Sequence, residues 1–320
     1  MRRIPCLFLG LVVATLTGCA AARPSPTDQS AIDQADKLHT RIASAVVEDR
    51  NPRLKRYFEQ LGARIVSAAQ ELDKQGKLPA HSAGGGSTAW MFSKDIDFHL
   101  VASPLPSSFT SGGHHIYIYS GLFQRCQNED ELAAVFCREY AHLYLRHAVR
   151  AITRDGIPSQ DGDVPLIYPF ATLRYPPEFA RAADALAFPI FVKAGWDPTR
   201  FASVYQRILE TAAGDEPIDR GLLKERVADA QRRTDALPAE AAEWAQPRVA
   251  DESRFAQLRA ETQSLVQTLA RDGRAELLLS AFPSALSAAD TPIQLNARQR
   301  LFPPAAAPTA DKWGKGLGGR

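Results

Sequence analysis

The sequence predicts an α+β fold, mainly helical, with a short sheet beside one central helix and further helices towards the C-terminus. Three observations carry that expectation. Apolar residues recur at helical spacing from Gln29 to about Val47 and from Leu54 to Leu72. Two strand candidates follow, near Ile96–Ala102 and His115–Tyr119, the second alternating Ile116 and Ile118 with Tyr117 and Tyr119. Asn128 then opens a strong helix, NEDELAAVFCREYAHLYLRHAV. Its Asn cap and three acidic residues in the first turn satisfy exposed amides and suit the helix dipole.

The remaining elements follow in order. Before the first strand, PAHSAGGGSTAW is a Gly/Ser-rich turn or lip, and no Lys-Ser/Thr follows its glycines, which excludes a phosphate-cradling loop. After the central helix, RDGIPSQDGDVP has turn chemistry throughout. Another helix starts after Pro176-Pro177 and carries EFARAADALAFPIFVKAG, with Pro189 expected to kink or end it. Two or three more helices extend to about Leu279, with Phe255, Leu258, Leu265 and Leu269 lining one face. The tail PPAAAPTADKWGKGLGGR reads as disordered. This gives five parts: 1–18, 19–53, 54–215, 216–292 and 293–320.

Composition narrows the function classes. With 320 residues, 45% apolar and 23% charged, the chain can bury one large core or two small ones. The net charge is +2, and no stretch combines clustered Lys/Arg with aromatics, so nucleic acid is excluded as a partner. No internal repeat points to a solenoid. At the N-terminus, MRRIPCLFLGLVVATLTGC places two arginines before an apolar run from Ile4 to Leu16. The run is shorter than the roughly 20 residues a membrane span needs and has the arrangement of a secretory signal peptide. Leu16-Thr17-Gly18-Cys19 resembles a bacterial lipobox, which implies acylation at Cys19 and a membrane anchor. By the same resemblance, Ala20 after the cysteine favours the periplasmic face of the outer membrane. Of the other cysteines, Cys126 and Cys137 are separated mostly by helix rising about 1.5 Å per residue, too far for a bridge, so Cys137 is expected free and buried.

The chemistry centres on CREYAHLYLRH, Cys137 to His147. A zinc-protease helix carries His-Glu-x-x-His: two histidines one turn apart bind the metal, and the glutamate polarises a water. Here Arg138, Glu139 and His142 fill that frame. Its flanks, SPLPSSFTSGGHHIYIYSGLF, NEDELAAVFCREYAHLYLRH and YPPEFARAADALAFPIFVKAGWDP, occur in order and together resemble the zinc metallopeptidases of the CAAX prenyl protease, HtpX and BepA type, peptidase family M48. Ser107, Ser108, Phe109, Gly112, Gly113, Gly121 and Leu122 stand where the family has Asn-Ala-Phe-x-x-Pro-Gly-Gly and Gly-Leu-Leu; Glu129 to Ala133 match Glu-Asp-Glu-Leu-Ala; AGWDP matches Ala-Gly-Tyr-Asp-Pro. The resemblance covers roughly Phe92 to Phe201 and implies a gluzincin-like metallopeptidase domain over 54–215.

Carried over residue by residue, the resemblance implies that Glu139 holds the general-base position and His142 a metal-ligand position. Arg138 and Ala180 occupy degenerate ligand positions, and Asp184 the second-shell aspartate. A guanidinium has five donors and no lone pair, so Arg138 cannot bind zinc. Glu178 lies roughly 200° around the helix from Ala180, on the opposite face, and His147 is off the face of His142. Arg138 is expected to occupy the vacated metal volume and pair with Asp184 in preference to Glu139, since adjacent helical residues diverge. His115, Ile116, Tyr117, Ile118 and Tyr119 form the strand that the family uses at its sheet edge to hold substrate, implying peptide capture by β-augmentation.

The preferred expectation is therefore a lipid-anchored pseudopeptidase of the bacterial envelope with no cofactor, binding polypeptide clients or envelope assembly proteins. Two alternatives stand beside it. One is an active zinc endopeptidase whose site is completed by other residues; the other is a structural lipoprotein that binds a partner through its C-terminal helices.

Overall fold

The computed structural model describes residues 24–45, 51–79, 87–101, 107–147, 177–211, 219–244 and 252–271. The expected leader, Cys19, the expected Gly-rich turn after Pro79, residues 148–176 and the expected C-terminal tail lie outside the described residues. The elements are α1 (Pro26–Ala45), α2 (Pro52–Lys74), β1 (Asp97–Val101), β2 (Ser108–Thr110), β3 (His115–Tyr119), α3 (Ser120–Arg125), α4 (Glu129–Tyr144), α5 (Pro177–Lys193), α6 (Ser203–Thr211), α7 (Arg220–Asp235), α8 (Ala239–Ala242) and α9 (Glu252–Arg271). Short 3-10 turns occupy Ala89–Phe92 and Pro198–Arg200. The architecture is mostly helical with one small sheet, an α+β arrangement. No helix among the described residues is long and apolar enough to cross a membrane.

Local signals set the helix starts. Ser25 accepts from the Asp28 amide at 3.1 Å ahead of Pro26, so α1 begins earlier than its apolar periodicity indicated. Asn51 accepts from the amides of Arg53 and Leu54, with Pro52 in the first turn of α2. Asn128 caps α4 by accepting from the Glu131 amide at 3.0 Å. Pro189 does not end α5, which continues to Lys193. Its neighbours Leu186, Phe188, Ile190, Phe191 and Val192 are all buried, and that packing outweighs the lost backbone bond.

The sheet has the order β1-β3-β2. β1 runs parallel to β3, with Phe98 beside Ile116 and His99 beside Tyr117. β2 runs antiparallel to β3, with Ser108 beside Ile118 and Phe109 beside Tyr117. The expectation that His115–Tyr119 forms the sheet edge is therefore corrected: β3 is the central strand, and its backbone groups are engaged on both sides. The edge beside the central helix is β2, a strand too short to announce itself by alternation.

Alternation then assigns two faces. Phe98, Leu100, Ile116 and Ile118 join the core beneath α2 and α4, where Phe98 and Phe136 rings lie 4.7 Å apart and Phe58 meets Phe136 edge-on at 4.9 Å. The other face carries Asp97, His99, His115, Tyr117 and Tyr119 and is covered by α1, with His39 Nδ1 3.1 Å from the Tyr117 hydroxyl. Gly112, at φ 86°, turns the chain into this face, and a Cβ on the next residue, Gly113, would lie 2.5 Å from Ala35 Cβ and 3.2 Å from Ile32 Cα of α1.

The two flanking motifs meet at the start of α4. Glu129 accepts from Arg64 at 2.6 Å, from the Trp196 indole at 3.1 Å and from the Tyr57 hydroxyl at 3.1 Å, while the Arg64 guanidinium lies 4.1 Å above the Trp196 ring. Glu-Asp-Glu-Leu-Ala and Ala-Gly-Trp-Asp-Pro are thus two halves of one junction. The C-terminal helices share this core: Phe255 and Leu258 of α9 are buried, and Phe255 packs edge-on against Phe123. Leu265 and Leu269 lie where side chains are not described. Cys126 and Cys137 are both buried and free.

Gly113→Ala should loosen α1 without unfolding the core beneath the sheet. Overpacking against helix backbone costs about 1–3 kcal/mol. Hydrogen exchange should accelerate in α1 by roughly 10-fold or more while α2 and α4 keep their protection; unchanged α1 protection would refute the close contact.

Candidate functional site

Arg138, Glu139 and His142 all face inward from α4, which packs directly against α5. Glu139 is 1% exposed at its side chain and Arg138 15%. Glu139 Oε1 receives two hydrogen bonds, from Ser108 Oγ of β2 at 2.8 Å and from Arg138 Nη1 at 3.0 Å. Its Oε2 has no hydrogen-bond partner among the described residues. Burial pushes the Glu139 carboxyl up, against the opposing pull of Arg138 and the Ser108 hydroxyl.

Arg138 also approaches Asp184 of α5, Nε to Oδ1, at 3.3 Å, close enough for an ion pair but without hydrogen-bond alignment. The preference for Asp184 over Glu139 as its partner is thus corrected: the hydrogen bond goes to the adjacent carboxylate. The guanidinium's own length bridges the divergence of neighbouring helix positions. Asp184 is instead held by a residue the sequence did not single out. Arg226 of α7 donates to it bidentately, Nε to Oδ2 at 2.7 Å and Nη2 to Oδ1 at 2.8 Å, and lies 3.7 Å over the Tyr205 ring. The cluster contains two guanidiniums and two carboxylates, neutral when all are ionised, where Arg138, Glu139 and Asp184 alone would carry −1. It also joins α7 to the peptidase-like part across the 215/216 division.

His142 is completely buried, and its Nδ1 lies 2.9 Å from Nδ1 of His147, so one ring donates and the other accepts. This contact arises because α4 ends at Tyr144, and Arg146 takes a left-handed conformation, φ 54°. The chain turns there and folds His147 back onto His142, stacking it on Phe179 at 4.3 Å. The Arg146 side chain reaches Asp28 of α1 at 2.7 Å. The reading that His147 is turned away from His142 assumed a continuing helix and is corrected by that turn. Burial, then Arg138, His147 and Arg226, hold His142 well below the usual imidazole range, so it is neutral.

The donor set does not fit the zinc that a His-Glu-x-x-His helix would hold. Arg138 has no lone pair and is hydrogen-bonded to the would-be base. Ala180 is buried and offers a methyl group, and Glu178 is exposed on the far side of α5. His142, whose Nδ1 meets His147, is then the one of the three family ligand positions that carries a donor. No step through a metal is derived at this position.

Among the described residues, three metal-capable side chains converge at a different place: His39 of α1, His99 of β1 and His115 of β3, each with a ligand atom within 4.8 Å of the others. Only His115 of these three belonged to the expected site. Ile116, Tyr117, Ile118 and Tyr119 of β3 are buried.

Comparison with known proteins points the same way as the motif order. Residues 87–162 match the model for peptidase family M48. The beta-barrel assembly-enhancing protease of Escherichia coli (strain K12) is 22% identical over 220 residues, covering 58% of this chain and 40% of that protein. The putative beta-barrel assembly-enhancing protease of Vibrio cholerae is 28% identical over 102 residues, 32% and 17% of the two chains. The mitochondrial metalloendopeptidase OMA1 of Schizosaccharomyces pombe is 34% identical over 56 residues, 18% and 17% of the two chains. The chain spans less than half the length of these relatives.

Replacing Arg226 tests the ion cluster. Arg226→Met should lower unfolding free energy by about 3–5 kcal/mol, because it leaves a buried carboxylate with one misaligned partner. The Asp184→Asn/Arg226→Met double variant should recover part of that loss in denaturant titrations.

Proposed function

We propose that the chain is a catalytically inactive member of peptidase family M48, a family of zinc metallopeptidases, and that it binds extended polypeptide instead of cutting it. The observation that carries this reading is the hydrogen bond from Arg138 to Glu139. A hydrolytic base must accept a proton from a water held by a metal. Here the base position is engaged by a permanent cation and a serine, and the metal positions offer a guanidinium and a methyl group.

Peptide capture is assigned to β2. Ser108–Thr110 is an edge strand, its inner side paired with β3, and Ser108 touches Glu139. An extended segment adding to β2 would lie along α4, supplying backbone hydrogen bonds without sequence preference. The printed names of two relatives, beta-barrel assembly-enhancing proteases, suggest precursors of membrane β-barrels as clients. Acylation of Cys19 would hold the protein on an envelope membrane where such clients pass. An active endopeptidase remains the second reading, favoured by the unforeseen second imidazole at His142.

In cleavage assays the full chain should leave unfolded casein intact while binding it, and Glu139→Gln should change neither result. Casein cleavage that Glu139→Gln abolishes would establish the second reading. For the anchor, radiolabelled palmitate should enter the wild-type protein in bacterial cells and be absent from Cys19→Ala.

A further inference from the structure

The histidine cluster lies on the face of the sheet opposite α4. It is also displaced along β3: Ser108, which touches Glu139, pairs with Ile118, whereas His115 begins the strand. That offset is about 10 Å at 3.3 Å per residue. We propose that His39, His99 and His115, with Asp36, form a binding site for a divalent transition-metal ion of the zinc, cobalt or nickel class, clipping α1 to the sheet.

Three features argue for it. First, the rings come from three separate elements, and their ligand atoms fall within 4.8 Å of one another. The closest pair, His99 Nε2 and His115 Nδ1, is separated by 3.0 Å, near the spacing of two nitrogens sharing a zinc at about 2.0–2.1 Å each. Second, His115 turns its other nitrogen, Nε2, to Asp36 Oδ1 at 3.0 Å. A carboxylate on the outer nitrogen of an imidazole fixes its tautomer and raises its basicity, an arrangement common to metal-binding histidines. Third, Asp97 Oδ2 lies 4.0 Å from His99 Nε2. Two carboxylates beside three imidazoles suit a cation.

A packing role for the same rings makes a different prediction. His39 stacks on His115 at 4.2 Å and on His99 at 4.4 Å, and near-parallel rings do not aim their lone pairs at one point. Binding an ion therefore requires His39 to turn from its stack. Its other contact, Nδ1 to the Tyr117 hydroxyl, lies at the rim of the cluster. Three imidazoles leave a fourth position for water or an exogenous ligand. Imidazole donors select borderline first-row ions over magnesium or calcium.

The site is independent of the degenerate positions on α4, and the experiment keeps the two apart. Tag-free full chain, stripped with chelator, is titrated with Co²⁺ and followed by visible absorption and thermal unfolding. One equivalent should bind at micromolar cobalt, raise the melting temperature and be displaced by Zn²⁺. His115→Ala and His99→Ala should each weaken binding by roughly 100-fold, and the exposed, conservative Asp36→Asn by about 10-fold. His142→Ala should leave binding unchanged. Circular dichroism of Asp36→Asn checks that weaker binding is not lost folding. No binding at micromolar cobalt overturns the proposal. So does binding that survives His115→Ala and Asp36→Asn but disappears in His142→Ala; combined with casein cleavage, that result would also overturn the pseudopeptidase reading. Cobalt bound at the three histidines without cleavage supports both.

Discussion

The structure around α4 depends on one constraint: two carboxylates, Glu139 and Asp184, are buried where two helices cross, and buried charge must be matched. In a zinc peptidase the metal supplies that match. Here Arg138 and Arg226 supply it, from α4 and α7, with hydrogen bonds of 2.7 to 3.0 Å and an ion pair at 3.3 Å. Arginine at position 138 and alanine at position 180 are consistent parts of one electrostatic solution. Losing the zinc while keeping every carboxylate would leave like charges facing one another in a low-dielectric site.

This solution reaches outward through the fold. Arg226 places α7 against α5 and stacks on Tyr205 of α6, so the later helices help to close the peptidase-like core. At the other end of α4, left-handed Arg146 brings His147 onto His142 and extends its own side chain to Asp28. A non-glycine residue in that conformation is uncommon and mildly strained, and persists because its surroundings fix it. The same residue therefore ties α4 to α1, the element that covers the far face of the sheet.

The sheet divides two kinds of chemistry. On the α4 side, aromatic and aliphatic side chains support a charged cluster in which Arg138 is bonded to Glu139. On the α1 side, imidazoles, carboxylates and a tyrosine hydroxyl gather in a partly exposed layer. Because β3 is central, the proposed peptide addition is assigned to β2, next to Glu139, and the proposed metal site lies on the opposite face of the sheet.

What the sequence alone determined is local or ordered along the chain. Asn128 announced its helix, the Ile/Tyr alternation announced β3, and the motif order identified the family through residues that meet at Glu129 and Trp196. Arg138 and Ala180 announced two positions without a metal donor, because ligand chemistry is a property of residue type. Tertiary structure decided the rest. Arg226 lies 42 residues from Asp184, and nothing in its own neighbourhood sets it apart from other helical arginines. His39 and His115 meet only because Gly113 lets α1 press onto the sheet, and β2 became the edge by pairing across a turn. His142 and His147 looked divergent until a single backbone torsion reversed the chain. Periodicity and residue type are written in the chain; which distant charges and rings share a volume follows from how the elements pack.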